Sequence, residues 1–250
     1  MSWAYYNEID AYCAQWLRNL MAAGHIPAGE VDERDICGVL GDDLKGFGSC
    51  HFFAGLGGWA YAGRLAGIPD DFPLWTGSCP CQPLSSAGQR KGHADERHLW
   101  PAFHALIAER GPATVFGEQV ASKDGREWLA GVRADLESMG YACGSADLPA
   151  AGVGAPHIRQ RFYWVANSTS PGRCWRHSLE EGKCQKPRRS SAYLCPEPWP
   201  DHAGRGSTLT VAEVLSPNYG VPDRVAKLRA YGNAIVPQVA AEFMMASLET

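Results

Sequence analysis

The chain has 250 residues, 45% of them hydrophobic, enough to bury one sizeable core, which excludes a wholly disordered protein. Twenty-three Lys and Arg against 27 Asp and Glu leave a formal charge of -4, so the protein as a whole is not a basic nucleic-acid coat, and any DNA contact needs a local patch. Nine cysteines without framework spacing, no opening apolar stretch long enough for a secretion signal, and no run of membrane-span length point to a soluble protein in a reducing cytoplasm.

Taken in chain order, YYNEID reads as the end of a strand, and Ala11, Trp16, Leu17 and Leu20 at helical spacing predict a helix after it. VDERDI follows Gly24 and Pro27 and reads as a loop. SCHFFAGLGGWAYAGRLAG predicts a strand, a tight glycine turn and a second amphipathic helix. FPLWTGSCPCQ is a strand feeding a polar loop, LWPAFHALIAERG a helix, and PATVFGEQV a strand carrying a carboxylate near its end. REWLAGVRADLESMGY then predicts a helix and RQRFYWVAN a strand. Alternating helices and short apolar strands are the mark of an open α/β sheet with helices on both faces. After Asn167 the texture turns to Ser, Pro, Gly, Arg and Cys, and helical patterning returns from Val221.

The glycine turn of FFAGLGGWAYA lets backbone approach a ligand and presents a helix N-terminus to it, but does not by itself name the ligand. Cys81, between Pro80 and Gln82, lies in the loop after a strand, where chemistry gathers in open α/β sheets. On residue type alone, a small buried filler is the commoner role for a cysteine. Glu118 by itself reads as a solvated or ion-paired strand-end acid. Arg159 and Arg161 occupy alternate positions of an extended segment and could decorate one solvated face of it.

Order makes these signals specific. FAGLGG, then PCQ, then the acid-bearing strand end, then RQR, then GNAIVP at 232–237, resembles the ordered motif set of the DNA cytosine-5 methyltransferases. The resemblance implies a doubly wound, Rossmann-like α/β sheet that binds S-adenosyl-L-methionine. Phe53, Gly55, Gly57 and Gly58 would form the cofactor turn, Pro80, Leu99 and Asn233 would complete its site, and Asn233 would close over the cofactor. Cys81 would add to carbon 6 of cytosine, turning a ring too electron-poor at carbon 5 into one that accepts a methyl group. Glu118 would hold ring nitrogen 3, Arg161 the carbonyl oxygen, with Arg159 near the thiolate. The target base would have to be flipped out of the duplex. No metal is expected.

The chain departs from the family pattern in three ways. GEQV replaces ENV, so Gln119 stands where Asn is usual, and His157 takes the usual Gln position before the arginines. The larger departure is that only about 20 residues separate the glycine turn from PCQ, too few for the two strand-helix units expected there. YYNEIDAY resembles the family's second motif, with Glu8 for the ribose hydroxyls and Ile9 beside adenine. ERDI resembles the third, with Asp35 and Ile36 at the adenine edge. The expectation is a permuted chain, in which the second and third sheet strands precede the first; the alternative is that residues 1–48 are an unrelated extension.

These readings divide the chain into a catalytic domain at 1–166, a target recognition module at 167–220, and a segment at 221–250 that rejoins the catalytic domain. Arg173, Arg176, Lys183, Lys186, Arg188, Arg189 and Arg205 give the module a basic face suited to phosphate contact. Cys174, His177, Cys184 and Cys195 fit no common zinc spacing. The resemblance implies a monomeric bacterial or phage enzyme acting on double-stranded DNA in the cytoplasm, either beside a separate cognate endonuclease or as a shield for viral DNA. Two rival readings stay open: an enzyme of the same fold acting on RNA or with a modified alkyl donor, and a DNA-binding decoy that has lost catalysis.

Overall fold

The computed structural model of the protein describes residues 3–80, 99–170 and 233–249. The loop after Pro80, with Cys81, and nearly all of the expected recognition module lie outside the described residues.

Strand β1 (Trp3–Asn7) leads into helix α1 (Ala11–Ala22), which starts where the Asp10 side chain accepts the Cys13 amide at 3.0 Å. Strand β2 (Gly29–Asp32) follows, then two 3-10 turns at Ile36–Gly38 and Gly41–Leu44, and strand β3 (Phe47–Phe52). Helix α2 (Gly58–Leu65), strand β4 (Leu74–Gly77), helix α3 (Trp100–Arg110) and strand β5 (Thr114–Val120) come next. Helix α4 (Lys123–Ser138) is capped by the Ser122 hydroxyl, which accepts the Gly125 amide at 3.0 Å. Strand β6 (Tyr141–Pro149), a 3-10 turn at Ala150–Val153, strand β7 (Gln160–Ser168) and helix α5 (Pro237–Glu249) complete the described elements.

The strands form one seven-stranded sheet in the order β2-β1-β3-β4-β5-β7-β6. Pairing is parallel from β2 to β5, and β7 runs antiparallel to both β5 and β6. The first two strands therefore lie on the far side of β3 from β4, although they precede it in the chain. This is the permuted order the motifs predict, and it removes the reading of residues 1–48 as an unrelated extension.

Apolar side chains cover both faces of the sheet. On one face α1, α2 and α5 bury Tyr6, Ile26, Phe72, Phe116, Tyr163 and Met244. On the other, α3, α4 and the first two 3-10 turns bury Phe52, Trp75, Phe103, Val115 and Trp164. Trp100 meets Phe103, Trp128 and Trp164 edge-on in this second layer, with centroids 5.9 to 6.3 Å apart.

The structure corrects the sequence reading in four places. VDERDI is not all loop, because its first residues belong to β2, a four-residue edge strand with no fully buried position to mark it. Strand β6 has no counterpart among the predicted elements: it is the opposite edge, with Tyr141 its one buried residue, and its Gly144 and Asp147 interrupt any apolar run. Strand β7 spans Gln160–Ser168, shifted one residue toward the C-terminus from the predicted RQRFYWVAN. Arg159 and Arg161 do not share one extended segment, since the strand begins at Gln160 and Arg159 precedes it with φ 29°.

Candidate active site

Three parallel strands bring their carboxyl ends to the glycine turn, where open α/β sheets bind ligands. Beyond Phe52 the chain turns sharply. Phe53 adopts φ 52°, a left-handed conformation that costs a non-glycine residue about 1–3 kcal/mol, and its ring is held edge-on to Phe103 at 6.1 Å. Gly55 and Gly57 follow with φ 54° and 77°. The Ala54 amide donates to the Asn7 carbonyl at 3.1 Å, tying the turn to the end of β1.

Glu8, the next residue, buries its carboxylate against the turn. Its Oε2 accepts the Gly55 amide at 2.7 Å and its Oε1 the Asp10 amide at 2.8 Å. Burial pushes this carboxyl above its ordinary value, and the two backbone amides oppose the rise. Ile9 beside it is 64% exposed. From the β2 side, the Asn7 amide donates to the Arg34 carbonyl at 2.8 Å, while Arg34 itself bridges Asp32 and Asp43 at 2.6 and 3.0 Å. These bonds hold the ERDI loop beside Glu8. Asp35 is exposed and accepts the Cys37 amide at 2.8 Å, whereas Ile36 is buried in the core.

The acid and arginine pair lies on the antiparallel ladder of β5 and β7. Glu118 stands opposite Tyr163 and Val120 opposite Arg161, so Glu118, Tyr163 and Arg161 share one face of the sheet. Arg161 Nε approaches Glu118 Oε1 to 2.7 Å, with only 19% and 10% of the two side chains exposed. Burial raises the Glu118 carboxyl above the ordinary carboxylate range; Arg161, Arg159 and a hydrogen bond from Ser78 hold the rise back. Burial and the neighbouring Arg161 also lower the Arg159 guanidinium.

The GNAIVP segment sits over both groups. Arg159 Nη2 donates to the Ala234 carbonyl at 2.5 Å, and the Val236 backbone hydrogen-bonds the Tyr163 hydroxyl. Ile235 packs on the first residue of α2 so closely that a Cβ on Gly58 would fall 2.7 Å from its Cγ1. Gly57 is equally hemmed in, with Leu17 and Leu20 carbons 3.1 and 3.2 Å from where its Cβ would stand. Asn233 is exposed at the start of this segment.

Among the remaining expected residues, Pro80 is exposed and Leu99 is partly buried at the N-cap of α3. Cys81 and the basic residues of the module lie outside the described residues. The structure brings Glu8, Gly55 and the ERDI loop together as one group, and Glu118, Arg161, Arg159 and the GNAIVP segment as another. Helix α2 joins the two. Two side chains of the second group were not anticipated. Trp59 Nε1 donates to Ser78 Oγ at 3.0 Å, and Ser78 bonds Glu118. Each is a common filler in its segment, and only its nearness to the glycine turn or to PCQ could have singled it out.

Comparison with known proteins gives the same assignment. The family model for C-5 cytosine-specific DNA methylases matches residues 52–194. It begins at the glycine turn, as a linear motif order must when the second and third motifs stand in front. The Type II methyltransferase M.AplI of Arthrospira platensis is 33% identical over 96 residues, which is 38% of this chain and 28% of the relative. M.HhaI of Haemophilus parahaemolyticus is 31% identical over 125 residues, 48% of this chain and 36% of the relative. The matches thus span about a third of these curated relatives. A solved structure of a Spodoptera frugiperda DNMT2 mutant aligns with TM-score 0.45 and 14% identity, over 66% of this chain and 42% of that one. With its family model matched over more than half its length, the chain belongs to the C-5 cytosine-specific DNA methylase family.

Proposed function

We propose that the protein transfers a methyl group from S-adenosylmethionine to carbon 5 of cytosine in double-stranded DNA. The observation that carries this reading is the largely buried Glu118–Arg161 pair, two strands along the sheet from the glycine turn, an acid and a cation 2.7 Å apart.

The residues present fit the cofactor. A Cβ on Gly55 would meet nothing nearer than the Phe53 carbonyl oxygen at 3.9 Å, so the turn is open to a ligand on that side, and exposed Ile9 offers an apolar surface. Phe53, Gly55, Gly57 and Gly58 would hold the cofactor from one side, with Glu8, Ile9, Asp35 and the Ile36 backbone from another. Pro80, Leu99 and Asn233 would close the site. Bound there, S-adenosylmethionine supplies an electrophilic methyl group.

The protein's own groups do the rest. The Cys81 thiolate adds to carbon 6 of a flipped-out cytosine and raises electron density at carbon 5. Glu118 faces ring nitrogen 3. Burial eases protonation of its carboxylate, so on meeting the base it can take up a proton from solvent, share it with nitrogen 3 and offset the charge that develops on the ring. Arg161 holds the carbonyl oxygen of the base, and Arg159 ties this wall to the GNAIVP segment. Loss of the carbon 5 proton and expulsion of the thiolate end the cycle. The basic module at 167–220 would track the DNA backbone, in an enzyme serving restriction-modification or shielding viral DNA.

The direct test is methylation sequencing of plasmid DNA from cells expressing the protein, beside cells expressing Cys81→Ala. Marks at one short motif that depend on Cys81 are the expected result. An unmarked plasmid, with soluble protein that binds cofactor, would overturn the reading.

A further inference from the structure

Trp59 and Ser78 form a chain of hydrogen bonds that ends on Glu118, and the chemistry of the three groups sets its direction. The Trp59 indole N–H can only donate, and it reaches Ser78 Oγ at 3.0 Å. The ionised Glu118 carboxylate can only accept, and Ser78 hydrogen-bonds it. The hydroxyl between them must therefore accept from Trp59 and spend its one proton on Glu118. Trp59 has little freedom to turn away. It is 95% buried, with its ring against Phe116 and Tyr163 at centroid distances of 6.1 and 6.0 Å. It is also the second residue of α2, directly after the glycine turn.

We propose that Trp59 and Ser78 are positioning residues for Glu118: the indole fixes the serine hydroxyl, and the hydroxyl together with Arg161 fixes the plane of the carboxyl group that meets the base. The proposal rests on the assignment of Glu118 to the cytosine ring under Proposed function. Arg161 alone, 2.7 Å from one carboxyl oxygen, leaves the group free to rotate about that contact. A second donor from another strand end removes this freedom and keeps the orientation in place before the base arrives, the condition under which a hydrogen bond contributes most to a transition state. The charged and titratable groups around Glu118 among the described residues are Arg161, Arg159 and Tyr163, all on or next to β7. Trp59 and Ser78 add a fixed neutral donor chain to these groups.

The test reads Glu118 itself. In protein carrying 13C at the glutamate side-chain carboxyl, the Glu118 signal is identified by its loss in Glu118→Gln, and its titration midpoint is followed in wild type, Ser78→Ala, Ser78→Thr and Trp59→Phe. Loss of a donor to the carboxylate moves the midpoint upward in Ser78→Ala and in Trp59→Phe, which keeps an aromatic ring at the packing site. Ser78→Thr, which retains the hydroxyl, restores it. In the same variants kcat for methyl transfer to duplex DNA falls roughly ten-fold, while KM for S-adenosylmethionine stays within about two-fold. Midpoints in Ser78→Ala and Trp59→Phe equal to wild type would overturn the proposal, as would a Ser78→Thr protein that behaves like Ser78→Ala. A wild-type protein whose Glu118 midpoint responds to both variants but which methylates no DNA would leave the donor chain standing and remove the reaction assigned to it.

Discussion

The Glu8 carboxylate and the Gly55 amide, 47 residues apart in the chain, meet at 2.7 Å. The bond crosses from the end of β1 to the turn after β3, strands that pair side by side in parallel. It explains how an acid near the start of the chain comes to hold the glycine turn that begins at Phe53. Replacing Glu8 with Ala removes both a charged acceptor from the turn and the group assigned to the ribose. Calorimetry should show S-adenosylmethionine affinity falling by about 1.5–3 kcal/mol, the usual loss for a charged hydrogen bond. Unchanged affinity would detach Glu8 from the cofactor.

Gly58 is required by packing. Its Cα faces Ile235 across the α2–GNAIVP contact, and a Cβ there would overlap Ile235 Cγ1. Gly58→Ala should lower unfolding free energy by about 1–3 kcal/mol in denaturant titration. Trimming the opposing side chain in Gly58→Ala/Ile235→Ala should cost less than the sum of the single changes, and additive losses would mean that the two residues do not touch.

Removing Arg161 should expose the cost of burying Glu118. With the cation replaced by an apolar side chain in Arg161→Met, the carboxyl has lost its closest charge partner, and neutral-pH stability should fall by about 3 kcal/mol. The sign of the pH dependence follows from the upward shift at Glu118: a carboxyl raised in the folded state contributes stability below its unfolded value and loses it as pH rises through its folded value. The Arg161→Met deficit should therefore shrink on acidification from pH 7 to 5. A deficit that is equal at both pH values would contradict this account.

His51 should make the protein sensitive to acid. It is enclosed between a stacked Tyr6 ring, 5.0 Å away, and Thr76, whose Oγ1 is 2.9 Å from Nδ1. Burial pushes the imidazole down to about 3. A lowered folded value means stability that is present above the unfolded value and is lost as pH falls toward the folded one. Between about pH 6.5 and 3, this residue alone should cost about 1.4 kcal/mol per pH unit. His51→Asn, whose side-chain amide can take the place of Nδ1 toward Thr76, should flatten that slope in unfolding measurements at pH 7, 6 and 5. An unchanged slope would assign the acid sensitivity to other groups.

Cys81→Ser should abolish methyl transfer while leaving cofactor affinity within a few-fold of wild type, because a serine hydroxyl at neutral pH is a far weaker nucleophile than a thiolate. Transfer at the wild-type rate would exclude a cysteine adduct.

The legible parts of this molecule were those with strong periodicity or rare residue combinations. Helices α1 to α4 and the buried strands stood out because apolar residues recur at helical spacing or in short runs bounded by glycine and proline. The permuted strand order could be read because PCQ follows the glycine turn too closely for two crossovers, and the sheet bears it out. The two edge strands were missed or misread for a shared reason: β2 is short and half-exposed and β6 buries only Tyr141, so neither needs an apolar pattern. At the site, Glu118 and Arg161 were legible as motif members. Their separation of 2.7 Å, by contrast, is set by the register of an antiparallel ladder, which depends on a pairing that no local spacing encodes. The same holds for Arg159 on the Ala234 carbonyl, where the partners stand 75 residues apart. Trp59 and Ser78 carry no motif, and their meeting appears only once the strands are aligned.

The permuted sheet has a consequence for how the protein can be assembled. The unit β1–α1–β2 has its own internal packing of Tyr6, Leu17 and Ile26, and joins the remainder through the parallel β1–β3 pairing, the Glu8–Gly55 bond and Ala60 of α2. Its covalent link to β3 is the pair of 3-10 turns between Asp32 and Phe47. A break in that connection would leave every strand pairing intact, so the wall proposed for the adenine side could be delivered by a separate polypeptide. Two fragments divided there should reassemble on mixing, and if S-adenosylmethionine binds both as proposed, it should tighten their association.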